Sequence, residues 1–387
     1  IIQHFIPKPY SSTIEKGSFT WSSPSNIALV KYWGKKEHQI PENPSISFTL
    51  DHCKTTTTLS YSKKQRSDAF SFEVFLDGEQ KDSFKPKIET FFKRIENYLP
   101  FLKDYHFKIE TSNTFPHSSG IASSASGMSA LALCLMSIEK ELTENVTQNY
   151  FNKKASFLAR LGSGSACRSI EGDLIVWGIH NEIDGSSDEF GVKYPFEVHQ
   201  SFKNYQDTIL LVDKGEKQVS STIGHNLMHN HPFASQRFKQ ANENMSKLIR
   251  IFKNGNVDRF VEIVESEALT LHAMMMTSMP YFILMKPKTL EIINKIWTYR
   301  TETNSKVCFT LDAGANVHVL YPESEKNTVL EFIKTELVPF CQNGHCSYSP
   351  LTTLDQHNFA QNGPSPSLYP CNPPPAKIPQ IIVFNNL

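Results

Sequence analysis

The chain has no excess of either charge: 39 lysines and arginines balance 39 aspartates and glutamates over 387 residues. No long basic run occurs, which argues against a nucleic-acid or anionic-membrane partner. Any anionic ligand must therefore be held by local placement of cations and N–H groups. No apolar run approaches the length needed to span a bilayer, and the first twenty residues have no apolar signal-peptide segment. The seven cysteines are odd in number and scattered, so no disulfide framework is expected. Cys134, Cys167 and Cys308 lie among apolar or small residues and read as buried thiols. A soluble, cytoplasmic protein is the simplest expectation. There is also no G-x-x-x-x-G-K-[ST], which excludes a Walker-type phosphate cradle.

A different small-residue loop is present. Phe115-Pro-His-Ser-Ser-Gly-Ile-Ala-Ser-Ser-Ala-Ser-Gly127 runs directly into an apolar helical pattern ending near Glu141. Such a loop leaves backbone N–H groups unpaired at a helix N-terminus, where the helix dipole favours negative charge. Hydroxyls of Ser118, Ser119, Ser123 and Ser124 could add phosphate or magnesium contacts, with Gly120 allowing close approach. In isolation the segment reads equally as a plain N-cap.

Three further segments concentrate functional groups. In Pro24-Ser-Asn-Ile-Ala-Leu-Val-Lys-Tyr-Trp-Gly-Lys35, two lysines four apart flank an aromatic pair and a glycine; an ordinary strand with exposed lysines is the alternative. Leu161-Gly-Ser-Gly-Ser-Ala-Cys-Arg-Ser169 permits close backbone approach and carries a guanidinium suited to bidentate capture of carboxylate or phosphate. A glycine-rich connection with Arg168 solvated is equally open. Thr310-Leu-Asp-Ala-Gly-Ala-Asn316 projects Asp312 from a strand end, as a cleft acid or as a turn that caps its own backbone.

At this length two lobes are expected. Period-two patterns predict strands over residues 26–33, 45–50, 55–61, 70–76, 106–112, 173–177, 208–213, 306–311 and 316–321, with a hairpin turn at Asp77-Gly78. Helical periodicity covers 85–99, 124–141, 146–161, 234–254, 256–278, 287–299 and 323–336. Strands mixed with segregated helices indicate an α+β fold. The expected division is an N-terminal lobe over 1–205, a C-terminal lobe over 206–344, and an irregular tail over 345–387 carrying eight prolines.

Taken in order, these segments resemble the diphosphomevalonate decarboxylase family of the galactokinase–homoserine kinase–mevalonate kinase–phosphomevalonate kinase (GHMP) superfamily. The resemblance rests on Asn26-Ile-Ala-x-x-Lys-Tyr-Trp-Gly-Lys35 and Gly162-Ser-Gly-Ser-Ala-Cys-Arg-Ser169 and spans roughly Ser22 to Gly344. It implies a two-lobed GHMP-kinase-type fold with a ferredoxin-like C-terminal lobe, ATP and Mg2+ as cofactors, and a homodimer. It also implies ATP-dependent decarboxylation of (R)-5-diphosphomevalonate. The related alternatives are a monophosphate decarboxylase, a mevalonate 3-kinase-like enzyme, or a silent binding member. By resemblance, Asp312 orients or deprotonates the tertiary hydroxyl, and Arg168 holds the carboxylate with help from Asn26. Lys31, Tyr32 and Lys35 line the substrate and phosphate region. Ser118, Ser119, Gly120, Ser123 and Ser124 form the ATP loop, Ser163 and Ser165 a polar wall of the substrate pocket, and Ser220 and Ser221 contact phosphoryl oxygens. No metal ligand is assigned. The chain departs from the family after Ser-Ser-Thr222, where Gly-Met is usual and Ile223-Gly-His225 stands here, followed by His229 and His231. His225 and His229 are one helical turn apart, so a metal there is conceivable, but no Glu stands beside them and no distant third ligand is evident. Cys341-x4-Cys346, with His345 between, could suggest a zinc knuckle.

Overall fold

The computed structural model describes residues 2–115, 123–213, 221–342 and 346–350. Two long antiparallel strands, β1 (Lys16–Val30) and β2 (Ser45–Lys63), form its spine. The second half of β2 pairs with β5 (Tyr105–Asn113) and the first half with β6 (Leu174–Trp177). β3 (Ser71–Leu76) runs parallel to β5 and turns at Asp77-Gly78, both at positive φ, into β4 (Glu79–Gln80). The two-residue β7 (Val192–Lys193), not expected from the sequence, pairs with β6. Helices α1 (Lys85–Ile95), α2 (Ser123–Leu142) and α3 (Gln148–Gly162) complete this lobe. Leu131, Leu135 and Phe157 from the helices share a core with Phe107 and Leu59 from the sheet. α3 starts at Thr147, whose hydroxyl accepts from Tyr150 N at 3.2 Å.

The second sheet is antiparallel, in the order β11 (Cys346–Pro350), β8 (Gln206–Leu210), β10 (Val317–Tyr321) and β9 (Cys308–Thr310). It is accompanied by α4 (Ser221–Asn226), α5 (Ala234–Asn254), α6 (Val257–Met276), α7 (Pro287–Thr303) and α8 (Lys326–Phe332). One apolar cluster joins the two sheets: Ile27, Ile46 and Phe48 of β1 and β2 pack with Ile209, Phe252 and Phe260. This shared core fixes the lobes against each other and so sets every distance across the cleft. Among the described residues, no helix is long and apolar enough to cross a membrane.

Four expectations are corrected. β1 ends at Val30, so Lys31, Tyr32 and Trp33 lie beyond the strand rather than in it. The separate strands expected over 45–50 and 55–61 are one, because β1 skips from Lys54 to Leu50 at the Pro24/Ser25 irregularity and leaves Asp51–Cys53 as a bulge. The last helix ends at Phe332 and continues as a π-turn over Ile333–Leu337. The tail is not irregular from its start: Cys346–Pro350 adds an edge strand to β8, where a proline is tolerated.

Beneath α2 and α3, Glu139 and Lys154 form an almost fully buried pair at 2.5 Å, and Lys154 Nζ also donates to Tyr98 O at 3.0 Å. Burial pushes the glutamate up and the lysine down, each partly offset by the other. Lys154→Ala leaves a buried carboxylate uncompensated and should cost about 3–5 kcal/mol in urea unfolding. The double variant Glu139→Leu/Lys154→Met should recover most of that loss; a single variant as stable as the parent would show the pair to be dispensable.

Candidate active site

The site begins where β1 ends. The main chain of Lys31 is held on both sides: its N–H donates to Glu267 Oε2 at 2.8 Å, and its carbonyl accepts from Asn43 Nδ2 at 3.1 Å and Arg237 Nη2 at 3.3 Å. Glu267 is gripped in turn by Arg237 through both terminal nitrogens, at 2.9 and 2.5 Å, and by Asn244 Nδ2 at 2.7 Å. The arginine and glutamate side chains are fully buried. With its backbone immobilised by α5 and α6, Lys31 extends Nζ to Asp312 Oδ1 at 3.0 Å. Burial lowers the lysine's proton affinity, and Asp312 partly restores it.

Asp312 lies in the turn between β9 and β10. Its carbonyl accepts from His272 Nε2 of α6 at 3.1 Å and from Gly314 N at 2.7 Å. The Lys31 side chain is 2 % exposed and that of Asp312 is 30 % exposed, so the carboxylate is the face of the pair that opens outward. Burial pushes His272 down to about 4, partly offset by its bond to the Asp312 carbonyl. The ring is therefore neutral and donates through Nε2.

Arg168 sits on a 3-10 turn over Gly164–Ser169 that follows α3. Nη1 donates to Ser45 Oγ at 2.6 Å, and Nε and Nη2 donate to Asn26 Oδ1 at 3.3 and 3.2 Å. The guanidinium also lies 5.8 Å from the Trp177 ring centroid. Of its five N–H donors, one on each terminal nitrogen has no partner among the described residues. Asn26 has given both amide hydrogens away, to Ser169 Oγ at 2.7 Å and Ser165 O at 3.2 Å. Its remaining polar atom, Oδ1, accepts from Arg168 and so fixes the plane of the guanidinium. Gly164 is required under this turn, since a Cβ there would lie 2.8 Å from Tyr32 Oη and 2.9 Å from Trp177.

Tyr32 stacks between Trp177, at 4.5 Å, and His225, at 4.2 Å. Its hydroxyl is buried without a partner among the described residues. Lys35 Nζ donates to Gln39 Oε1 at 2.9 Å, and burial with the nearby Arg94 lowers its proton affinity. Ser163 links α3 to the 3-10 turn, and Ser165 is half-buried on that turn. Ser123 and Ser124 open α2, and Lys87 Nζ of α1 donates to Ser124 Oγ at 2.8 Å. Ser118, Ser119, Gly120 and Ser220 lie outside the described residues, as do the hydroxyl of Ser221, the first residue of α4, and His345 of the zinc-knuckle pattern. The three histidines do not converge. His225 Nδ1 accepts from Gly34 N at 3.0 Å, His231 Nε2 donates to Met274 O at 3.0 Å, and His229 is exposed.

The structure thus brings Asn26, Lys31, Tyr32, Arg168 and Asp312 together across the two sheets. It adds Ser45, Ser169, Lys87, Arg237 and Glu267, which the sequence had not singled out. Arg237 is the one buried charge of α5, and Glu267 shares α6 with a second buried acid, Glu265, so nothing local marks the two as a pair. Ser45 could have been suspected from Asn43-Pro-Ser45, a turn opening an apolar strand.

A mixed sheet and an antiparallel sheet sharing a core, with small residues opening α2 and a lysine–aspartate–arginine cleft between them, define a protein of the GHMP kinase fold. Residues 23–188 match the diphosphomevalonate decarboxylase-like N-terminal domain, and residues 208–382 the mevalonate 5-diphosphate decarboxylase C-terminal domain. The chain belongs to the diphosphomevalonate decarboxylase family. The likeness runs past Gly344, where the motifs alone had ended it. The Bos taurus diphosphomevalonate decarboxylase is 29 % identical over 81 % of this chain and 78 % of its own, and the Candida albicans enzyme 26 % identical over 89 % and 96 %. Among solved structures, mevalonate diphosphate decarboxylase from Staphylococcus aureus has a TM-score of 0.74 at 27 % identity, covering 87 % of this chain and 97 % of its own. A complex of MDDEF with MVAPP, AMPPCP and magnesium has a TM-score of 0.74 at 27 % identity, covering 88 % and 98 %.

His225 and His272 are both held neutral, pushed down by burial to about 3 and about 4 from an ordinary 6.5. Their contribution to stability is fully present above pH 6.5 and is lost as pH falls through 4 and then 3, because the unfolded chain takes up protons first. His272→Gln should flatten the stability–pH curve between pH 6.5 and 4, by up to about 1.4 kcal/mol per pH unit. Urea titrations across that window giving parallel curves for parent and variant would contradict the neutral, buried imidazole.

Proposed function

We propose that the protein catalyses ATP-dependent decarboxylation of (R)-5-diphosphomevalonate to isopentenyl diphosphate, ADP, phosphate and carbon dioxide. The observation that carries this reading is the Asp312 carboxylate held 3.0 Å from Lys31 across the lobe junction, within electrostatic reach of the immobilised Arg168. In a chain without net charge, Lys31, Lys35 and Arg168 outnumber Asp312 locally. The cleft therefore favours a substrate carrying a carboxylate and phosphoryl groups.

The chemistry needs little covalent help. The tertiary hydroxyl is a poor leaving group, so its oxygen first attacks the terminal phosphorus of ATP and ADP departs. Asp312, anchored by Lys31, orients that hydroxyl or takes its proton. The carbon–oxygen bond of the new phosphoester then breaks with its electron pair leaving on phosphate, and the carboxylate's carbon–carbon pair moves in to form the alkene, releasing carbon dioxide. Arg168 offers its two remaining N–H groups to the carboxylate until that moment, while Asn26 and Ser45 keep the fork from turning. Positioning and charge stabilisation supply most of the rate.

Magnesium, when bound with ATP, neutralises phosphate charge. Hard oxygen donors suit it: the hydroxyls of Ser123 and Ser124 at the start of α2, with Lys87 beside them as a fixed cation. The family likeness assigns Tyr32, Lys35, Ser163 and Ser165 to the substrate side, Ser220 and Ser221 to the phosphoryl oxygens, and Ser118, Ser119 and Gly120 to the ATP loop. The family likeness supports a cytoplasmic homodimer. It also supports a division into an N-terminal ATP lobe, a C-terminal lobe from residue 206 and a terminal segment.

The purified protein should release carbon dioxide from diphosphomevalonate only with ATP and magnesium. ATP consumption without carbon dioxide would instead mark a 3-kinase, and preference for the monophosphate would change the substrate. Asp312→Asn should lower kcat by about 10^2–10^4-fold and, because Lys31 loses its countercharge, also lower Tm. Lys31→Met/Asp312→Asn should restore Tm but not turnover; near-parental kcat in either variant would remove Asp312 from the reaction. Arg168→Lys should also lose at least about a hundredfold in kcat, since an ammonium cannot reproduce the planar fork. Ordinary kinetics there would refute the carboxylate clamp.

A further inference from the structure

The substrate-facing segment Tyr32–Lys35 bends at Gly34, which has φ +98. A side chain is excluded there, because a Cβ would lie 2.9 Å from the Phe238 ring. The bend carries Tyr32 to one side and Lys35 to the other, so its angle decides where both groups point. The Gly34 carbonyl is only loosely held, accepting from Glu42 N at 3.4 Å. Its N–H, buried, is satisfied by a side chain from the other lobe, His225 Nδ1 at 3.0 Å. The imidazole is wedged between two rings of the same segment, with centroids 4.2 Å from Tyr32 and 4.6 Å from Trp33. Gly224 is what lets it in, since a Cβ at 224 would lie 2.6 Å from Trp33.

His225 belongs to α4, the short helix that opens at Ser221 directly after Ser220. One side chain therefore ties α4 to the Tyr32–Lys35 bend, which carries Lys35, a cation for the phosphorylated end in the substrate reading above. We infer that His225 is a positioning residue for the diphosphate end of the substrate, setting the Gly34 bend through its Nδ1 acceptor. The inference rests on the substrate reading given above. The imidazole stays an acceptor at any ordinary assay pH, because burial and the nearby Lys35 push its pKa down to about 3.

Two complementary variants separate the bond from the packing. His225→Phe keeps a ring between Tyr32 and Trp33 but offers no acceptor. His225→Asn loses the ring but places Oδ1 where Nδ1 stood. KM for diphosphomevalonate, KM for ATP, kcat and Tm should be measured for both beside the unaltered protein. His225→Phe should raise KM for diphosphomevalonate about tenfold, with KM for ATP and kcat within about twofold. His225→Asn should return KM for diphosphomevalonate to within about threefold even where its Tm falls. The inference is overturned if His225→Phe keeps the parental KM. It is equally overturned if both variants raise the two KM values together in step with lost Tm, which marks a purely structural ring. Absence of carbon dioxide release from the unaltered protein would instead overturn the substrate reading. In that case direct calorimetric binding of inorganic diphosphate decides the role of His225: weaker binding to His225→Phe but not to His225→Asn supports it, and equal binding to all three overturns it.

Discussion

The contact on which the rest depends is the one between Lys31 and Asp312, made by residues 281 positions apart. It exists only because Ile27, Ile46 and Phe48 of one sheet share a core with Ile209, Phe252 and Phe260 of the other lobe. A buried lysine costs several kcal/mol unless a partner offsets it. The site keeps that partner half-open rather than sealing it, as the 30 % exposure of Asp312 shows. Stability and chemistry thus draw on the same carboxylate. The structure compensates by fixing the lysine's main chain independently, through the fully buried Arg237–Glu267 pair. Were Lys31 held only by Asp312, any movement of the acid toward substrate would release the lysine as well. With its backbone clamped from α5 and α6, the lysine stays as a fixed charge.

Much of the fold was legible because local chemistry and tertiary structure agreed. Asp77-Gly78 supplied a hairpin turn that needs two positive φ values, and the apolar spacing of Ile88, Phe91, Phe92 and Ile95 marked the buried face of α1. Where reading failed, backbone pairing had overridden side-chain pattern. The bulge at Asp51–Cys53 interrupts the alternation of β2 without interrupting its pairing to β1, so one strand looked like two. Cys346–Pro350 is only five residues long and runs into a proline-rich stretch, so its pairing with β8 was hidden by its surroundings. The site divides in the same way. Asp312, Arg168, Lys31 and Asn26 stood out as motif residues, but the role of Asn26 did not, because it depends on where Ser165 and Ser169 place their oxygens. Arg237 and Glu267 were illegible, since a buried pair between two amphipathic helices looks like two solvated charges until the helices are packed.

Arg160 and Arg168 show why a sequence cannot tell a buried arginine neutralised by an acid from one held by neutral groups. Both are buried, eight residues apart, and burial lowers the proton affinity of both. Arg160 is neutralised where it stands: Nη2 meets Glu189 Oε2 at 2.5 Å, Nε donates to the Glu189 carbonyl at 2.7 Å, and Nη1 donates to the carbonyl of His38. Its charge is spent on holding the loop after β6 to α3. Arg168 is held just as firmly, but every bond recorded for it ends on a neutral acceptor, the amide of Asn26 or the hydroxyl of Ser45. Neutral acceptors fix the plane of the guanidinium without cancelling its charge. On the proposed reading, the cost of burying that charge is offset further when a substrate carboxylate arrives in the orientation already set. A carboxylate in place of Asn26 would make the resting protein more comfortable and the cleft less able to bind. In this cleft an amide, rather than an acid, beside the arginine is what separates a binding site from a salt bridge.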